Sequence, residues 1–213
     1  PFLMQSRLRL ARLGAGGFPR LFFLHGNVAV GFCRTDRVSG LVGACCRTCG
    51  RAFEASRLLF PVEKKNYQDG GFVEREWEAV RAFLGSCFML TVFGYSAPKT
   101  DVEAIGLLRA GWGDPADRAM EQTEIITRPG FDEDALRQTW DGFIHTHHYE
   151  IHGSFFDSWL AKHPRRSGEA YLNQYWDAKF ISDNPLPREA SQLSDLLSWF
   201  EPLLKIERAQ ASP

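Results

Sequence analysis

The chain has 213 residues, 44% hydrophobic and 24% charged, with a formal net charge of −1. That composition suits a folded domain with a real core and excludes wholesale disorder and collagen-like repeats. No apolar run approaches the ~20 residues that a membrane-spanning helix needs, which excludes such a helix. The charge is uneven, since residues 1–60 hold nine arginines against only Asp36 and Glu54. A basic N-terminal third can face an anion such as a phosphate, or pack against the acidic remainder.

Taken in chain order, residues 1–13 are basic and acid-free and read as the end of a helix. They lack the long apolar stretch and small-residue cleavage site of a secretory signal. We therefore expect the chain to begin inside a longer protein. Residues 14–20 are a breaker-rich loop. Gly14-Ala15-Gly16 has neither the strand before it nor the helix after it that a dinucleotide-binding loop requires. Leu21–Leu24 is a short apolar run, expected to be a buried strand ending at His25-Gly26.

Residues 26–57 carry four of the five cysteines and too few periodic apolar residues to build a core, a deficit that a metal can make good. Leu58–Val62 reads as another strand. Val73, Trp77, Val80 and Leu84 fall at helical spacing over 73–84. Phe88–Phe93 is expected to be the central buried parallel strand, ending at Gly94. Asp101–Leu108 is expected to be a helix capped by Thr100 or Asp101. Residues 124–127 form a further strand. Beyond 130, helices are expected at 132–144, 154–162, 168–180 and 191–206.

The fold class expected is therefore α/β. It comprises a partial, parallel Rossmann-like sheet within 1–130, a cysteine-knuckle insert at 26–57, and a helical C-terminal extension over 131–213. Parallel strands deliver their carboxyl ends to one edge of the sheet, and ligands bind there. The loops after Leu24 and after Phe93 are then the places for chemistry.

Four constellations stand out. His25, with Gly26 and Asn27 at a strand end, suits a general base, because imidazole titrates near neutrality. A structural histidine bonded to a loop is the competing reading. Cys33, Cys46 and Cys49 have zinc-ligand spacing, with either Asp36 or Cys45 as the fourth ligand. Free or oxidised thiols are the alternative. An odd count of clustered cysteines also fits a reducing, cytoplasmic setting better than a disulfide framework. Gly94-Tyr95-Ser96 turns a strand toward a helix N-terminus at Asp101, where a nucleotide can approach the backbone. An ordinary strand–turn–helix connection would look the same. Finally, His148 and His152 stand four apart beside His145 and His147, a possible metal pair if that segment is helical.

The order of these pieces carries a resemblance. Leu24-His25-Gly26, a cysteine module, Leu59-Phe60-Pro61-Val62, Phe93-Gly94-Tyr95-Ser96 and Glu124-Ile125-Ile126 together resemble the C-terminal half of the sirtuin (SIR2) family, in its bacterial SIR2-like branch. The resemblance covers about residues 21–130. It implies NAD as the ligand and His25 as the base at the nicotinamide ribose. It implies Gly26, Asn27, Gly94, Tyr95, Ser96 and Asp101 around the NAD, and a structural zinc on the cysteines. It also implies a nucleotide-binding half preceding residue 1 and cleavage of NAD rather than protein deacetylation. The rival expectation is a catalytically silent module whose knuckle and basic face recruit nucleic acid or a protein partner.

Overall fold

The computed structural model describes residues 2–12, 19–59, 67, 71–97, 101–164, 166–190 and 192–210. Its elements in chain order are α1 (Phe2–Arg12), β1 (Val30–Cys33), β2 (Val38–Leu41), β3 (Glu54–Ala55), α2 (Phe72–Ser86), β4 (Met89–Phe93) and α3 (Val102–Trp112). They continue with β5 (Gln122–Ile126), α4 (Glu133–Trp140), β6 (Tyr149–His152), α5 (Trp159–Lys162), α6 (Ser167–Trp176) and α7 (Leu193–Gln210). The protein is mixed α/β, with one small antiparallel sheet and one three-stranded parallel sheet. Among the described residues no helix is long and apolar enough to cross a membrane.

Two compact units divide the chain: 1–86 with 97–114, and 87–96 with 115–213. In the first, β1 is the middle strand of an antiparallel sheet in the order β2-β1-β3. Val30 and Phe32 of β1 join Phe72, Val73 and Trp77 of α2, Tyr67, and Ala104 of α3 in one buried cluster. The helical spacing of the apolar residues in 73–84 thus becomes the core-facing stripe of α2. The α2–α3 crossing is close, because a Cβ on Gly111 would stand 2.8 Å from the Arg81 Cα.

The run Leu21–Leu24 is not a strand. Side chains of α2 satisfy its backbone instead of a ladder. The Phe23 N–H donates to Glu76 Oε2 at 2.8 Å, and Trp77 Nε1 donates to the Leu24 carbonyl at 3.0 Å. A short apolar run announces burial but does not specify its hydrogen-bond partner. Leu58 and Leu59 also lie outside any strand, while 60–62 of that expected strand fall outside the described residues, as does Gly14-Ala15-Gly16.

In the second unit β4, β5 and β6 run parallel in that order, pairing Thr91 with Glu124 and Glu124 with Glu150. The middle strand is β5, buried along its whole length, rather than β4. The more apolar β4 is at the edge, and its Phe93 is 67% exposed. Polar Gln122, Thr123 and Glu124 tolerate the central position because partners inside meet them, as where Thr123 Oγ1 donates to the Phe143 carbonyl.

The stretch beyond 130 is not wholly helical either. It supplies β6 to the parallel sheet, so His148 and His152 do not share a helical face. Alternation along a four-residue strand puts Glu150 and His152 on one side instead. Trp159, Ala170 and Tyr171 form a second buried cluster, with Phe88, Met89 and Ile181 against it.

Candidate functional site

The cysteine module folds as two matched turns. Cys33-Arg34-Thr35-Asp36 leads out of β1, and Cys46-Arg47-Thr48-Cys49 repeats its first three residues. Each turn is closed by a residue at positive φ, Arg37 at 51° and Gly50 at 72°. The second is held by Gly50 N–H donating to the Cys46 carbonyl and by Cys46 N–H donating to the Arg51 carbonyl.

Ligand atoms of Cys33, Asp36, Cys46 and Cys49 all lie within 4.8 Å of one another. Cys33 Sγ is 3.5 Å from Cys49 Sγ, and Asp36 Oδ2 is 3.4 Å from Cys33 Sγ and 3.1 Å from Cys46 Sγ. Those separations suit the edges of a tetrahedron around an ion with bonds of about 2.0–2.3 Å. Three thiolates with one carboxylate can therefore hold a metal ion, and Asp36 is the fourth ligand in this set. Cys45 is exposed, and its backbone bridges to Ala52 instead. Hydrogen bonds from Cys49 and then Cys46 hold the Asp36 carboxyl below its ordinary range, and the same Asp36 contact pushes the Cys49 thiol up to about 12.

The basic face around the knuckles is largely spent within the unit. Arg34 and Arg37 pair at 3.0 Å with Glu54 and Glu78, and Arg51 donates to Thr35 Oγ1.

His25 lies exposed in a turn of the first unit, its ring 6.3 Å from that of Tyr67. The turn is firmly built. Gly26 has φ 87°, and a Cβ there would meet the Arg57 carbonyl oxygen at 2.0 Å. Asn27 is buried. Its N–H donates to Ser56 Oγ, and its Oδ1 accepts from the Ala29 N–H. Asn27 therefore braces the turn with its polar groups. Asp101 also belongs to the first unit. It occupies the N-cap position of α3 but makes no side-chain capping bond, because its φ and ψ of −100° and 38° are not extended. Its Oδ1 accepts from Tyr67 Oη instead, at 3.4 Å.

Gly94, Tyr95 and Ser96 sit together in the second unit. They line a cavity of about 790 Å³ with Phe93 at the end of β4, Ile126 at the end of β5, and Arg128. This is the carboxyl edge of the parallel strands, where α/β sheets bind ligands. Gly94 has φ 70° and open space where a Cβ would project. Tyr95 packs edge-on against the buried Trp140, with ring centroids 6.0 Å apart. Asp132 caps α4 at the cavity wall by accepting from the Ala135 N–H.

A further group brings His152, expected to pair with His148, beside two glutamates that the sequence did not single out. Glu124, fully buried in mid-strand, lies 3.2 Å through Oε2 from His152 Nε2, and Glu150 Oε2 lies 3.2 Å from the same nitrogen. The carboxylates of Glu124 first and then Glu150 push the His152 pKa up to about 9. The signal was present in the sequence as a lone carboxylate inside an apolar strand and as the alternation Glu150-x-His152.

Compared with known proteins, the chain matches no protein-family model, no curated protein and no solved structure.

Proposed function

We propose that this chain is a SIR2-like NAD-binding domain, with a Rossmann-like parallel sheet and a zinc-stabilised knuckle. The observation that carries the reading is the cavity at the carboxyl ends of β4 and β5, bounded by Gly94, Tyr95 and Ser96. Its size suits a nucleotide, since small-molecule sites fall at roughly 300–1,000 Å³. Tyr95 offers a flat apolar wall, Ser96 a hydroxyl for a ribose or phosphate, and Arg128 a fixed positive charge for a pyrophosphate. Gly94 lets the chain turn there in a backbone conformation that other residues adopt at a cost.

In this reading the protein cleaves NAD. The bond from ribose C1′ to nicotinamide breaks, water takes its place at C1′, and the water proton passes to a base. By the resemblance in the order of the motifs, His25 is that base. Zinc on Cys33, Asp36, Cys46 and Cys49 is structural here, because four protein ligands leave no open position. None of the five cysteines is in a disulfide, which fits a reducing, cytoplasmic setting.

The test is nicotinamide release from NAD by the purified chain and by His25→Ala, with binding of NAD measured on both. Release lost in His25→Ala, with binding retained, supports cleavage. Binding without release by either protein leaves a nucleotide-binding domain and removes the catalytic step.

A further inference from the structure

The parallel sheet carries a second ligand set, on different strands from the knuckle. Thr91, Glu124 and Glu150 stand in register across β4, β5 and β6, and His152 follows Glu150 on the same side. His152 Nε2 is sealed from solvent and makes no aligned hydrogen bond, although it lies 3.2 Å from one oxygen of each glutamate. That nitrogen and the carboxylate oxygens of Glu124 and Glu150 all lie within 4.8 Å of one another, close enough for one ion to bind all three. We propose that Glu124, Glu150 and His152 form a second metal site, which takes a divalent cation of the manganese or iron(II) class.

Geometry supports this. Ligand atoms about 2.1 Å from an ion and at right angles stand about 3.0 Å apart, close to the two 3.2 Å separations. Two carboxylates with one imidazole suit such ions better than the soft thiolate set of the knuckle does. The outer shell is already built. Thr91 Oγ1 donates to Glu124 Oε1 at 3.0 Å, the Trp159 N–H donates to Glu124 Oε2 at 2.5 Å, and Trp159 Nε1 donates to Glu150 Oε1 at 2.9 Å. Neutral donors of this kind orient ligating carboxylates without competing for the ion's charge.

Charge points the same way. A divalent cation neutralises the charge of a carboxylate pair held this close. When a divalent cation binds, the Nε2–H proton leaves to solvent and the freed lone pair binds the metal. Two carboxylates, a neutral imidazole and the ion then sum to zero. Glu150 keeps 30% of its side chain exposed, which gives the ion an entry path and leaves room for water on the metal.

Mn²⁺ is the probe, because it binds hard oxygen ligands in preference to the thiolates of the knuckle. Chelator-treated full-length protein is titrated with Mn²⁺ while the free-ion paramagnetic resonance signal is followed. Spin-echo modulation then reads nitrogen coupling on the bound ion. We expect one equivalent to bind with an imidazole nitrogen signature, and at least a ten-fold weakening in Glu150→Gln and in His152→Gln. Glu150→Gln replaces a partly exposed side chain isosterically, so it decides the matter if His152→Gln does not fold. The spin-echo readout on the unmodified protein needs no variant. No binding up to about 1 mM Mn²⁺ overturns the site. Bound Mn²⁺ without nitrogen coupling, or undiminished binding in Glu150→Gln, overturns it equally.

Discussion

Asp36 Oδ2 lies 3.1 Å from Cys46 Sγ, and this contact joins two turns that begin with the same three residues, Cys-Arg-Thr. The carboxylate stands where a matching second knuckle would carry its fourth thiolate. Asp36→Ala should therefore weaken zinc binding at least ten-fold, whereas Asp36→Cys should preserve or tighten it. Competition with a chromophoric zinc chelator measures both. Equal affinity in Asp36→Ala and the parent would remove Asp36 from the ligand set. Stripping the metal should also raise amide exchange across β1 and β2, because a metal's binding energy in so small a sheet is folding energy.

Gly26 and Gly94 both have positive φ, yet their surroundings differ. Alanine at 26 drives a Cβ into the Arg57 carbonyl at 2.0 Å and should cost more than about 2 kcal/mol. Alanine at 94 meets open space and pays only for the left-handed backbone, about 1–2 kcal/mol. Denaturant midpoints of the two variants should differ in that order. The reverse order would contradict the packing described for the His25 turn.

Trp77 both fills the first core and donates to the Leu24 carbonyl. Trp77→Phe keeps most of the volume and leaves that carbonyl without its donor, at about 1–3 kcal/mol. Trp77→Ala adds a cavity and should cost about 3–5 kcal/mol. Equilibrium unfolding should show both losses; an undiminished stability in Trp77→Phe would mean that the hydrogen bond contributes nothing, and equal costs for the two would mean that the cavity does not.

Glu76 supplies a pH test. Burial pushes its carboxyl pKa up, and the hydrogen bond from the Phe23 N–H only partly opposes this. A carboxyl whose folded pKa exceeds its unfolded value favours the folded state while protonated. Its contribution is present in acid and lost as the pH rises through the carboxyl range. Glutamine keeps an acceptor for Phe23 and carries no charge. Glu76→Gln should thus raise stability at pH 7 relative to the parent, and that gain should shrink toward pH 4. A gain that grows in acid would reverse the assignment.

Much of the architecture was legible because long, strongly patterned segments declare themselves. The stripe of Val73, Trp77 and Leu84 became α2, and the apolar β4 and β5 emerged within two residues of expectation. Leu21–Leu24 did not become a strand, because its backbone partners, Glu76 and Trp77, lie fifty-three residues away in sequence. Likewise, β6 follows a His-rich stretch and is only four residues long, too short for its Tyr149/Ile151 alternation to decide between strand and helix, and its register against β5 defines it. The knuckle ligands could be read from spacing, whereas the choice of Asp36 over Cys45 needed the fold of β1 and its turn. Glu124 was visible as a strand residue, but its role depends on Glu150 and His152 arriving from a separate strand.

The most direct test of the account is calorimetric titration of NAD into the full-length protein and into Ser96→Trp, which fills the cavity beside Gly94 and Tyr95. Both proteins are first shown to be folded by circular dichroism. The account predicts saturable binding by the parent and at least a ten-fold loss in Ser96→Trp. No heat of binding from the folded parent at about 1 mM NAD, or binding that Ser96→Trp leaves unchanged, would contradict it.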